Sequence, residues 1–269
     1  MPDPSSSSAV QLTYLGHSTL LIEQDGVRII TDPLFRKQVA FLRRAGPPVD
    51  PGHYQAITAV LISHLHYDHL DFPSLKRIGT QTPIIAPRGA APLLAKNGFR
   101  NCLELAQSDR TRVGPFEIQA TPADHKPQRG PHGPEADPLG YILRGDIRVY
   151  FPGDTQLFPG MAELAQDEQG RGLDVAFLPV WGWGPKLGEQ HLDPQEAARA
   201  LTLLCPRVAI PIHWGTYFPI GFGWLRLGFQ YLPPLDFERN AKHLASQVEV
   251  CILRPGEAIS VAPASDRSG

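Results

Sequence analysis

Residues 63–71 read SHLHYDHLD, the end of an apolar run, ITAVLIS, that starts at residue 57. Three of the chain's ten histidines and two aspartates crowd into this short space. ITAVLIS is too short and too β-branched for a helix and predicts a buried strand. The cluster therefore begins where a strand gives way to a loop. Histidines two apart at such a turn, His64 and His66, can converge on one metal ion. Asp68 and His69, a step further on, point elsewhere and suit a second ion. Neither set is complete, so the reading demands partners elsewhere in the chain. The competing reading is a solvated helix end that happens to be rich in histidine.

Three other stretches repeat the pattern of an apolar strand signal followed by a metal-affine side chain. IQATPADH ends in His125, RVYFPGD in Asp154 and VAIPIH in His213. Strand ends gathered on one edge of a sandwich bring together His64, His66, Asp68, His69, His125, Asp154 and His213. Imidazoles mixed with carboxylates suit two borderline divalent ions, zinc first, with manganese or iron as alternatives. Scattered surface histidines would all have to fall at strand ends by accident.

The rest of the chain supports this architecture. VQLTYL, STLLIEQ and VRIIT read as strands, with Asp25-Gly26 as a hairpin turn. Helical pieces at 73–78 and 89–97 flank the strand-like PIIAP. A second strand-rich block opens near Val113 with FEIQATP and continues through GYILRGDIRVYFPG and DVAFLPV. Asp193-Pro194-Gln195-Glu196 opens a helix with an Asp N-cap, Pro at the first helical position and Glu at the third. RVAIPIH is a strand, 235–245 a helix, and VEVCILRPGEAISVA two closing strands. YLGHSTL and YFPGDTQL echo each other, both placing Gly and a polar residue at a strand end. The expected fold is α/β: an αββα sandwich of two mixed sheets with helices outside. It forms a single domain over 10–262, in two similar halves of about 10–112 and 113–262, behind a disordered tail at 1–9.

Bulk properties exclude several classes. The 269 residues can bury a large core, and 42% hydrophobic with 19% charged residues describes an ordinary globular chain. A net charge of −2 gives no broad electrostatic hold on nucleic acid. Cys102, Cys205 and Cys251 lie far apart without a CxxC, which suits a reducing compartment. MPDPSSSSAV has neither the basic nor the apolar region of a signal peptide, and no apolar run reaches membrane-spanning length. A cytoplasmic protein is expected.

The motif His64-x-His66-x-Asp68-His69 resembles the signature of the metallo-β-lactamase-fold hydrolases. The resemblance implies that His64, His66 and His125 hold one metal, and Asp68, His69 and His213 a second, with Asp154 bridging. His66 stands where the oxygen-reducing di-iron branch has Glu, and Asp154 where zinc β-lactamases have Cys, so hydrolysis of another bond is implied. YLGHSTLLIEQDGVRIITDPLF, AVLISHLHYDHLD, PGDT, HLDPQEAARA and PIHWGTY are similar to the branch holding N-acylphosphatidylethanolamine phospholipase D and ascorbate-6-phosphate lactonase. They span about 12 to 217. The implied function is a dinuclear metal-dependent hydrolase with a metal-bridging hydroxide and a phosphodiester substrate. Lactone or carboxylic ester hydrolysis is the alternative; a nuclease or a non-catalytic metal-binding protein follows further behind.

Around the metals, Asp68 could orient the nucleophile's proton, and His191, two residues before the N-cap Asp193, could bind a substrate oxygen or protonate the leaving group. Asp32 either orients a ligand histidine or begins a turn before Pro33. His17 is either a site residue or a satisfied loop histidine. Trp181 or Trp183 borders the cleft or packs in the core. The aromatic stretch 217–232 reads as a lid for an apolar or lipid-like ester, a contact between subunits, or a flap on the core. The Gly/Pro-rich 126–140 reads as a mobile loop at the site mouth. Asp71 falls at a helix N-cap and is no ligand.

Overall fold

The computed structural model describes residues 9–221 and 227–264. The expected tail over 1–9 and residues 222–226 of the aromatic stretch therefore lie mostly or wholly outside the described residues. The first half of the chain forms β1 (Val10–Gly16), β2 (Thr19–Gln24), β3 (Val27–Thr31), β4 (Gln38–Val39), β5 (Leu42–Arg44) and β6 (Ala59–Leu61). Then come α1 (Phe72–Ile78), β7 (Ile84–Pro87), α2 (Ala91–Lys96), β8 (Cys102–Leu105), β9 (Arg110–Val113), β10 (Phe116–Pro122), β11 (Leu139–Arg144) and β12 (Arg148–Phe151). The remainder is β13 (Val175–Pro179), α3 (Pro194–Leu204), β14 (Val208–Ile212), β15 (Tyr217–Pro219), α4 (Leu232–Leu244), β16 (Glu249–Val250) and β17 (Ala258–Val261).

Two seven-stranded mixed sheets dominate, in the orders β17-β1-β2-β3-β6-β7-β8 and β16-β14-β13-β12-β11-β10-β9. Their packing follows from side-chain alternation. On β2, Leu20 and Ile22 face the other sheet while Leu21 faces outward; on β12, Val149 and Phe151 face inward while Tyr150 faces outward. The inward sets merge into one core shared by both sheets, with Tyr14, Phe116, Tyr141 and Phe177 among its members. Outward residues of the first sheet pack on Leu75 and Leu94 from α1 and α2. Those of the second pack on Leu201 and Phe237 from α3 and α4. The layers are α, β, β, α.

The local signals act as their chemistry requires. Asp25 (φ 50) and Gly26 (φ 76) make the left-handed two-residue turn between β2 and β3. Asp193 and Glu196 form a reciprocal capping box on α3. Asp71 caps α1, accepting from Ser74 N at 3.0 Å. α4 starts earlier than 235 because Pro233 and Pro234 fit the unbonded first turn.

Two features depart from the two-block reading of the sequence. β9 pairs with β10, and β17 crosses back to pair with β1, so sheet membership does not follow one cut in the chain. The sequence reading also missed β8 and a third, three-stranded sheet, β15-β5-β4. Its strands are too short to show a period of two. Tyr217 and Phe218 on β15 are buried, so the aromatic stretch begins as core packing, whereas Tyr231 is 50% exposed. Among the described residues no helix is long and apolar enough to cross a membrane.

Candidate metal centre

All the predicted ligand residues sit just beyond strand ends on one edge of the sandwich. The loop after β6 carries His64, His66, Asp68 and His69; His125 follows β10, Asp154 follows β12 and His213 follows β14. Close backbone approach brings these ends together. A Cβ on Gly153 (φ 64) would lie 2.4 Å from Ser63 Cβ, so only glycine lets the Asp154 turn reach the histidine loop. Gly16 (φ 107) does the same against Thr216, where a Cβ would sit 2.8 Å from Cγ2.

Two of the resulting groupings carry most of the predicted ligands. His64, His66 and His125 bring one ring nitrogen each within 4.8 Å of one another. His17, His69 and His213 do the same with a ring nitrogen each, joined by a carboxylate oxygen of Asp68. Asp154 lies between them: its Oδ2 is 3.1 Å from His69 Nε2, 3.3 Å from His213 Nε2 and 4.0 Å from His125 Nε2.

The outward nitrogen of each ring decides what the inward one offers. His66 Nε2–H donates to Gln128 O (3.1 Å), His125 Nδ1–H to Gln190 O (2.9 Å) and His213 Nδ1–H to Trp181 O (3.0 Å). His69 Nδ1–H donates to Asp32 Oδ2 at 2.8 Å. The Ser63 hydroxyl donates to that carboxylate at 2.5 Å, so its oxygen accepts from His64 Nδ1–H at 2.9 Å. Carbonyl and carboxylate oxygens only accept, so the protons sit on the outward nitrogens. Lone pairs then face the centre from His64 Nε2, His66 Nδ1, His69 Nε2, His125 Nε2 and His213 Nε2. His66 Nδ1 stands 3.0 Å from His64 Nε2 and 3.1 Å from His125 Nε2. Lone pairs that close repel unless a cation lies among them. His69 Nε2, His213 Nε2 and Asp154 Oδ1 are buried without a hydrogen-bond partner. This donor set fits divalent metal.

Electrostatics agree. Burial holds His64 and His213 well below the usual imidazole range, and brings His125 down to about 4. These rings are neutral, as ligands must be. Burial alone would raise Asp68 and Asp154, but neighbouring histidines outweigh it and hold both carboxyls well below their usual range. His69 is the reverse case: burial opposes its charge, but Asp154 and Asp68 pull it well above the ordinary value. A proton there competes directly with a metal ion for Nε2.

The residues whose roles the sequence left open take these positions around the groupings. Asp32 (φ 34) is fully buried and accepts from Ser63 N at 2.7 Å, Ser63 Oγ and His69 Nδ1. One carboxylate thus orients a ring in each grouping. His17 (φ 59) is buried; its Nε2 lies 3.0 Å from Asp68 Oδ2 and its ring 4.0 Å from that of His213. His191 Nε2 is 3.3 Å from Asp154 Oδ2, and its side chain is 18% exposed to the cleft. Burial works against its charge, but the bond and charge of Asp154 win and raise its pKa. Trp183 lines the cleft, whereas Trp181 contributes its carbonyl to His213 and turns its indole N–H to Gly184 O at 2.9 Å.

Sequence reasoning missed Ser63, Gln128, Gln190 and Arg129. The first three act partly or wholly through groups common to every residue type. Arg129 is buried, its Nη1 donates to Leu65 O, and its guanidinium lies 4.2 Å over the Tyr67 ring. It pins the 126–138 loop to the histidine loop. Lys126, Gln128, Gly130 and Pro131 of that loop line the site mouth.

A histidine- and aspartate-rich edge on an αββα sandwich defines a metal-dependent hydrolase of the metallo-β-lactamase kind. The chain belongs to the beta-lactamase superfamily domain family, whose model matches residues 27–214. It is 32% identical over 257 residues to a UPF0173 metal-dependent hydrolase of Methanopyrus kandleri, covering 92% of this chain and 98% of that protein. It is 31% identical over 244 residues to N-acyl-phosphatidylethanolamine-hydrolyzing phospholipase D 1 of Caenorhabditis elegans, covering 81% of this chain. The chain spans 67% of that protein's length and 60% of similar Mycobacterium tuberculosis relatives. A metallo-hydrolase from the archaeon Ignicoccus hospitalis shares the fold, with a TM-score of 0.68 at 24% identity over 94% of this chain and 98% of that one.

Proposed function

We propose that the chain is a dinuclear metal-dependent hydrolase acting on a phosphodiester. In this reading His64, His66 and His125 hold one divalent ion, and Asp68, His69 and His213 hold the other, with Asp154 between them. Zinc is the ion that imidazole-rich sets of this kind favour. The observation that carries the proposal is the set of inward lone pairs, each fixed by a donor bond on the ring's far nitrogen.

When bound, two divalent cations supply an acidified water as nucleophile and compensate charge on the substrate oxygens. The protein's own groups do the rest. Asp32 and Ser63 keep His69 and His64 in the ligand tautomer. His17 holds Asp68 Oδ2, leaving its other oxygen to orient the nucleophile's proton. His191 reaches the cleft with a raised pKa and donates its proton to the leaving oxygen. The phospholipase D relative supports the phosphodiester.

A neutral lactone or carboxylic ester is the second reading, favoured by a specific feature. Among the described residues lining the cleft, Lys126 is the only lysine or arginine, and it pairs with Glu189 at 3.2 Å. Metal analysis of purified protein, then turnover of bis(p-nitrophenyl) phosphate beside a lactone and ester panel, separates the two. Activity on the phosphodiester that chelation abolishes and metal restores is expected. Faster turnover of the neutral panel would move the assignment to the second reading, and no turnover with two metals bound would end both.

A further inference from the structure

The metal chemistry leaves one wall of the cleft without a role. β4 and β5 are joined by only Ala40 and Phe41, with Val39 paired to Leu42. Ala40 has φ 47, a left-handed conformation that a residue with a Cβ adopts at a cost and that glycine would adopt freely. The turn sets Phe41 at the hairpin tip, 53% exposed, where a large apolar ring gains little from burial. Its ring meets Trp183 edge-to-face at 4.9 Å, and its carbonyl accepts from Ile220 N at 3.0 Å. Behind the pair, Leu34, Val39, Leu42 and Tyr217 form a buried cluster with Trp183 packed against it. The wall is therefore braced from behind. It lines a cleft of about 550 Å³ that also contains His66, Asp68, Asp154 and His191. Tyr67, another 53% exposed ring, also lines the cleft.

We infer that Phe41 and Trp183 are the specificity wall of this enzyme, receiving the apolar, non-reacting alkyl portion of an ester whose scissile bond lies over the metal centre. The inference rests on the hydrolase reading above for the position of that bond. Strain at Ala40 and exposure at Phe41 are both accounted for if the ring completes its burial only against substrate. The cleft's size suits a small-molecule ester. Away from the metal centre, Lys126 is the only lysine or arginine among the described lining residues, so the wall itself offers a charged substituent little.

The test is a series of n-alkyl p-nitrophenyl phosphodiesters, methyl to octyl, with metal-loaded enzyme. In the native protein kcat/KM is expected to climb about fourfold per methylene until the wall is covered. Phe41→Ala and Trp183→Ala flatten that slope, and Phe41→Leu restores part of it. Leu103→Ala, an exposed site on β8 outside the cleft, keeps the native slope. An identical slope in native and Phe41→Ala enzymes overturns the inference, as does a flat series in the native enzyme. If no ester turns over, the hydrolase reading fails separately. The wall is then read from calorimetric binding of n-alkylphosphonates to the metal-loaded protein. Tightening with chain length that Phe41→Ala abolishes supports it, and a series without chain-length dependence overturns it.

Discussion

The two groupings of the candidate metal centre are built differently. His64, His66 and His125 form an all-imidazole set whose far nitrogens are anchored on a serine hydroxyl and two backbone carbonyls. Asp68, His69 and His213 form a set in which an anion is built in, and Asp68 needs His17 to hold it. The first set is neutral and depends on geometry. The second carries charge: Asp68 and Asp154 both lie close to His69 Nε2, at 3.8 and 3.1 Å, and together raise that ring's hold on a proton. The two sides share Asp154 between them and Asp32 behind them. The lesson is that the site's asymmetry is electrostatic, while its unity comes from two buried carboxylates.

The largest effect should come from removing the shared group. Asp154→Ala, assayed with metal in excess, is expected to lower kcat by about a thousandfold or more; a loss of less than tenfold would show that the two sets work independently. His191→Gln tests the proton donor between the sets. A loss of about a hundredfold in kcat is expected with a poor leaving group, and far less with p-nitrophenolate, which leaves without a proton. Equal losses on both leaving groups would remove His191 from that role.

Smaller effects should separate the sides. Asp32→Asn is expected to weaken metal binding by about 10- to 100-fold, and to do so on both sides, because Asp32 orients His69 directly and His64 through Ser63. Ser63→Ala should weaken only the first set. Calorimetric titration of the chelated protein reads both steps, and a one-sided loss in Asp32→Asn would break the link. The smallest effect concerns the strand beneath His213. Tyr14 donates to Trp214 O at 3.4 Å, and burial raises its phenol to about 12 from 10.0. The unfolded phenol loses its proton first, so the stability Tyr14 contributes is full below about pH 10 and disappears as pH rises toward about 12. Tyr14→Phe should therefore reduce the alkaline slope of the unfolding free energy; an unchanged slope would assign it to the other buried tyrosines.

How much of this was legible beforehand depends on the range of each interaction. HLHYDH is a local pattern, and His125, Asp154 and His213 could be found because each follows an apolar run that fixes a strand end. Asp32 was ambiguous because an aspartate before a proline starts turns as readily as it anchors an imidazole. The carbonyls of Gln128, Gln190 and Trp181 left no signal, since any residue in the right backbone position would serve, and the Ser63 hydroxyl left none because a serine at a strand end is commonplace. The β4–β5 hairpin was invisible for another reason: its turn uses Ala40 where a hairpin normally advertises glycine or asparagine.

By itself, the sequence determined the layers and which histidines and aspartates follow apolar strands, because alternation and strand-end position are short-range properties. Tertiary structure alone decided which nitrogen of each ring faces inward, that Asp32 serves both sides, and that Phe41 stands over the cleft. Those depend on contacts between residues far apart in the chain: Ser63 meets Gly153 only when the two sheets pack, and Trp181 meets His213 only when β13 and β14 pair.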